Sequence, residues 1–65
     1  MEHKIKLTSV NILDDVYKKF KVKSIEGSIN LQKIVNRTLD LYNKDDEFRN
    51  KINNHEGLAS SGSKF

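Results

Sequence analysis

Few side chains in this sequence have the chemistry of a catalytic or metal-binding site. There is no cysteine, and the two histidines, His3 and His55, lie too far apart along the chain to belong to a cluster with metal-ligand spacing. The acidic groups of 14–15 and 45–47 are better explained as helix-start charges and ion-pair partners. The chain also lacks a glycine-rich phosphate loop. We therefore expect a protein that is not an enzyme and that uses neither a metal nor another cofactor.

Basic side chains are the more prominent chemical feature. Twelve Lys and Arg against nine Asp and Glu give a net charge of +3 and an isoelectric point near 9.3, which favours polyanionic partners. No apolar run approaches the roughly 18–20 residues of a membrane span, and no apolar signal-peptide segment follows Met1–Lys4. We expect a soluble, cytoplasmic protein that has no membrane partner.

The length of 65 residues allows a single domain. A core of this size supplies only about 3–5 kcal/mol of stability, and small domains are commonly reinforced by disulfides, metals or oligomerisation. Because the sequence offers neither cysteines nor a metal site, oligomerisation is the remaining way to stabilise the domain. We expect a homodimer.

One segment, residues 4–12, alternates polar with apolar side chains and is rich in β-branched residues, as in a half-buried strand. A single strand cannot pair its own backbone groups, so a second chain is expected to supply its neighbour. The register chosen here places Val10 and Ile12 toward the core, and Ser9 and Asn11 outward.

A first helix is expected to begin near Leu13, with Asn11 as its cap and acidic residues at 14–15 in its first turn. Its apolar stripe contains Leu13, Val16, Tyr17 and Phe20. The other face carries Lys18, Lys19, Lys21 and Lys23, of which Lys18 and Lys21 are interpreted as solvated. Gly27 is expected to adopt the left-handed conformation that ends the helix.

A second helix is expected from about Asn30, which can cap it. Its apolar face is too broad for one short neighbour to cover and comprises Leu31, Ile34, Val35, Thr38, Leu39 and Tyr42. Asn36 and Arg37 lie on its polar side and receive no role.

A helical extension or a short third helix is expected from about residue 43. Phe48 and Ile52 are four apart, and two acid-before-base pairs, Asp45/Arg49 and Glu47/Lys51, have the favourable helical spacing. The predicted organisation is a domain of residues 1–55 followed by a flexible tail of residues 56–65.

The order of strand, helix, glycine-containing turn and helix resembles the ribbon-helix-helix superfamily of Arc and MetJ repressors and plasmid partition proteins. Residues 10–17 (VNILDDVY) and 30–39 (NLQKIVNRTL) carry the resemblance, which covers roughly residues 4–43. The chain departs from the family where it has Thr8, Leu13, Asn30 and Thr38. The resemblance implies a mainly α fold with one short β-strand, in an intertwined homodimer whose two strands form an intermolecular antiparallel β-ribbon.

The resemblance further implies a double-stranded DNA-binding protein whose ribbon enters the major groove, where hydrogen-bonding side chains can distinguish base pairs. The implied base-contacting residues are Lys6, Ser9 and Asn11. Phosphates would be held by the start of the second helix, where backbone amides lack helical partners. The residues expected to contact phosphate are Lys4, Asn30, Leu31, Gln32 and Lys33. The expected dimer core comprises Val10, Ile12, Val16, Phe20, Ile34, Val35, Thr38, Leu39 and Tyr42.

Three functions fit this interpretation. The first is a transcriptional repressor, with further dimers binding repeated sites. The second is a plasmid partition adaptor that binds a centromere-like array and recruits a protein through its C-terminal segment. The third is an antitoxin or protein-interaction module.

Overall fold

The described part of the chain is built from helices. A computed structural model describes residues 3–63, with α1 at Asp14–Gly27, α2 at Leu31–Lys44 and α3 at Asp46–Asn53. A short 3-10 turn follows at Ala59–Gly62. Residues 3–63 contain no β-strand.

The predicted β-ribbon is wrong. The segment of residues 3–12 has no regular secondary structure and makes no hydrogen bond to another described residue. Its apolar side chains lie in solvent, with Ile5 89% and Leu7 97% exposed. The alternation of side chains does suit a strand, but a lone segment has no hydrogen-bonding partner to hold it extended, and residues 3–12 do not adopt a strand. The ribbon-helix-helix fold, with its intermolecular sheet, is therefore not the fold of this chain.

The two ends of α1 also differ from the prediction. The residue that precedes the helix is Leu13, which provides no side-chain cap, so Asn11 does not cap α1. Asp14 and Asp15 occupy the first turn as predicted. At the other end the left-handed residue is Ser28, with φ of 52°, whereas Gly27 is still helical.

The start of α2 confirms the predicted cap. The Asn30 side-chain oxygen accepts a hydrogen bond from the Lys33 amide at 2.8 Å. Asparagine is among the best residues at this position because its short side chain reaches the amides of the first turn.

The helices pack unequally. α2 packs against α3, and α1 makes no comparable contact with either helix. Among the described residues no hydrophobic side chain is fully buried, and the one buried residue is Ser24. α2 and α3 thus form a helical hairpin, and α1 has no helix packed against it in the same way.

Candidate nucleic-acid interface

A shallow, open cleft of about 350 Å³ lies at the start of α2. The residues that line it are Asn30, Gln32, Lys33, Asn36 and Arg37. Helical geometry explains the grouping, because residues three and four apart share one side of a helix. No carboxylate lines the cleft, so its two cationic side chains give it a positive charge.

The backbone at this helix start leaves two donors available. The Lys33 amide is used by the Asn30 side chain, and the Ile34 amide donates to the Asn30 carbonyl at 3.0 Å. The amides of Leu31 and Gln32 have no hydrogen-bond partner within residues 3–63. They lie at the positive end of the helix dipole, where anions are favoured.

The cations of the cleft are not neutralised by the described part of the chain. Lys33 and Arg37 are exposed and form no ion pair there. By contrast, Lys44 at the other end of α2 is bound to Asp40 at 3.0 Å. The cleft can therefore bind an anion such as a phosphate with the side-chain charges of Lys33 and Arg37 and with the backbone amide of Gln32.

The polar side chains of the cleft are partly held in place. The Asn36 amide nitrogen donates to the Gln32 carbonyl at 2.9 Å, one turn earlier. The Asn30 side chain is fixed by its capping bond. The side chains of Asn30 and Asn36, which lie beside Lys33 and Arg37 in the cleft, are thus held in place by hydrogen bonds.

The residues expected to contact phosphate are only partly brought together. Asn30, Gln32 and Lys33 line the cleft, whereas Leu31 is not among its lining residues. Lys4 lies on the irregular N-terminal segment and is not part of the cleft either.

Sequence reasoning gave no role to Asn36 and Arg37, which do line the cleft. The signal that could have found them is the spacing of Lys33 and Arg37, four residues apart on a predicted helix with no acidic residue between them.

The residues expected to contact bases are not part of the cleft. Lys6, Ser9 and Asn11 lie along the irregular N-terminal segment, and all three are exposed. None of them makes a hydrogen bond to another described residue. Their role as base readers stays a prediction, and the ribbon that was to present them is absent from the described structure.

A second, apolar groove of about 210 Å³ lies on α2 and is lined by Ile34, Val35, Thr38 and Leu39. All four belong to the expected dimer core. The other expected members lie elsewhere: Val10 and Ile12 in the N-terminal segment, and Val16 and Phe20 on α1.

Tyr42 contacts α3. Its hydroxyl and the Asn53 side-chain oxygen are 2.8 Å apart, and the Arg49 guanidinium lies 5.8 Å from the centre of its ring. Tyr42 therefore stabilises the hairpin within one chain.

Within residues 3–63 no group of His, Asp and Glu side chains is arranged to hold a metal ion. In the same range, no helix has both the length and the apolar character needed to cross a bilayer.

Comparison with protein-family models, curated proteins and solved structures finds no match for this chain. The resemblance to the ribbon-helix-helix superfamily thus rests on the two sequence stretches alone.

Proposed function

We propose that this chain binds double-stranded DNA, as a transcriptional repressor, by holding the phosphate backbone in the cleft at the start of α2. The observation that carries the proposal is that Lys33 and Arg37, which form no ion pair within residues 3–63, line one cleft with Gln32, whose backbone amide has no hydrogen-bond partner there. Lysine and arginine side chains, and helix amino termini, are common phosphate ligands in protein–DNA complexes.

The charge of α1 supports the same partner. Lys19 and Lys23 are exposed and form no ion pair with a described residue, whereas Lys18 is bound to Asp14 at 2.9 Å. Exposed cations of this kind attract DNA over several ångströms and raise the rate of association.

A homodimer is supported by the area that one chain exposes. The chain has an accessible surface of 6486 Å², whereas a compact protein of 7.5 kDa is expected to expose about 4,250 Å². The excess of roughly 2,200 Å² is comparable with what one subunit buries in an obligate homodimer. The groove on α2 provides an apolar surface for such an interface, and two copies would present two phosphate clefts.

The test is the salt dependence of DNA binding. Each phosphate contact adds about one unit to the slope of log affinity against log salt concentration. We expect the double variant Lys33→Ala/Arg37→Ala to lower this slope by about two for each bound chain, which is about four for a bound dimer, on a labelled duplex and measured by fluorescence anisotropy.

Lys44→Ala is the matched control, because Lys44 lies on the same helix but is already paired with Asp40. Equal slopes for the double variant and this control would contradict phosphate binding in the cleft. A DNase footprint then separates the two DNA-binding functions: protection of a promoter favours repression, and protection of a long repeat array favours partition.

A further inference from the structure

The boundary between α2 and α3 consists of a single residue. Asp45 has an extended backbone, with φ of −113° and ψ of 109°, while helices reach Lys44 on one side and begin at Asp46 on the other. No glycine or proline occurs in residues 31–53. The backbone itself therefore does not require a break here, and side chains must stabilise it.

The break removes three backbone hydrogen bonds that a continuous helix would contain. Helical bonds persist on either side, from the Asp45 amide to the Leu41 carbonyl at 2.8 Å and from the Arg49 amide to the Asp45 carbonyl at 3.0 Å. The bonds from the amides of residues 46–48 to the carbonyls of residues 42–44 are absent.

Two side chains replace what is lost. The Asp45 carboxylate accepts from the Phe48 amide at 3.1 Å. The Arg49 guanidinium donates to the Tyr42 carbonyl at 2.8 Å and to the Asn43 carbonyl at 2.9 Å. The guanidinium also binds Asp46 at 3.0 Å, which holds it at the bend.

The apolar pattern continues across the break as though the helix were unbroken. Apolar or small side chains recur at alternating intervals of three and four residues, and Asp45 alone interrupts the series: Leu31, Ile34, Thr38, Leu41, Asp45, Phe48 and Ile52. This seven-residue repeat is typical of a straight helix that packs along one seam. In the bent form Leu41 and Ile52 of this series remain exposed.

We propose that the contacts of the Asp45 and Arg49 side chains with the backbone, here called the latch, hold the chain in its bent form. When these contacts are lost, α2 and α3 join into one helix of residues 31–53. The straight helix regains three backbone hydrogen bonds and aligns the apolar series. This inference is independent of DNA binding.

The experiment measures the distance between spin labels at positions 33 and 51, introduced as Lys33→Cys and Lys51→Cys in a chain with no other cysteine. In a continuous helix these backbone positions are about 27 Å apart, and a bend brings them closer. Double electron–electron resonance is recorded on labelled protein diluted with unlabelled protein, which suppresses distances between chains. We expect Asp45→Ala to lengthen the distance to about 27 Å and to strengthen the helical circular dichroism signal.

Asp45→Asn is the conservative variant, because asparagine caps a helix about as well as aspartate. It should keep the short distance. Asp40→Ala removes an exposed carboxylate from α2 without touching the bend and should also leave the distance unchanged.

Arg49→Gln opens the latch from its other side and should lengthen the distance as well. A short distance in both Asp45→Ala and Arg49→Gln, or a loss of helical signal in both, would overturn the proposal.

Discussion

The α2–α3 hairpin and the part of the chain that precedes it differ in how many of their polar groups are hydrogen-bonded within the chain and in how closely their helices pack. In the hairpin, the side chains of Asn30, Asp45 and Arg49 bind the backbone groups that the helix ends leave open. Residues 3–12 make no hydrogen bond to any other described residue, and α1 has no helix packed against it as α3 is packed against α2. The hairpin is thus stabilised by local polar contacts, whereas residues 3–12 have none with the rest of the described chain and α1 has no helix packed against it.

The apolar groove of α2 gives the largest expected effect. Leu39 is 59% exposed in the single chain, so an aspartate there would cost little if the protein were a monomer. In the proposed dimer the carboxylate would be buried without a partner, which costs more than the few kcal/mol that hold a domain of this size together. We expect Leu39→Asp to abolish both the dimer and the helical signal, as measured by sedimentation equilibrium and circular dichroism.

Ile25→Asp is the control for this prediction. Ile25 lies on α1, is 81% exposed and does not line the groove. The Ile25→Asp variant should therefore dimerise and fold as the unmodified protein does. A Leu39→Asp protein that is monomeric and folded would show that folding does not depend on the groove.

The cap of α2 gives a smaller effect. Asn30→Ala removes the acceptor for the Lys33 amide, and loss of a cap of this kind costs about 1 kcal/mol. The measurement is the free energy of unfolding in urea at a fixed protein concentration. Asn43→Ala is the matched control, because the Asn43 side chain makes no hydrogen bond to a described residue; an equal loss in both variants would argue against the cap.

The contact between Tyr42 and α3 should contribute less still. Tyr42→Phe removes the hydroxyl that bonds Asn53. Since this bond is exposed, we expect a loss of about 0.5 kcal/mol in the free energy of unfolding. Tyr17→Phe serves for comparison, because the Tyr17 hydroxyl has no hydrogen-bond partner among residues 3–63. Similar losses of unfolding free energy in both variants would show that the Tyr42 hydroxyl does not stabilise the hairpin.

Helix positions were predictable from sequence where the signal was local. The Asn30 cap and the acidic first turn of α1 depend on residues within one helical turn, and both are confirmed. The strand depended on pairing with a second chain rather than on contacts within a few residues, and the prediction of a strand at residues 4–12 was wrong.

The sequence left open whether the residues after 43 extend α2 or form a short third helix, and the structure has the third helix, which begins after Asp45. The spacing of Asp45 and Arg49 predicts an ion pair along a continuous helix. The structure instead uses Asp45 to cap α3, and Arg49 binds Asp46. The same residues support a straight or a bent helix, and a local pattern does not choose between them. Part of the lining of the cleft was predicted to lie together, because the helix start was identified, whereas Arg37, one turn later, was not included.

The smallest expected effect is at Asn11, which the sequence marked as a cap just as it marked Asn30. Asn11 makes no hydrogen bond to a described residue, and Leu13 stands at the cap position of α1. We therefore expect Asn11→Ala to change the free energy of unfolding by less than about 0.5 kcal/mol, the usual range for an exposed substitution. Urea titrations of Asn11→Ala and Asn30→Ala, at the same protein concentration, compare one residue type in the two regions. A loss at Asn11 as large as that at Asn30 would mean that the N-terminal segment is held in the folded protein, and the contrast between the two regions would fail.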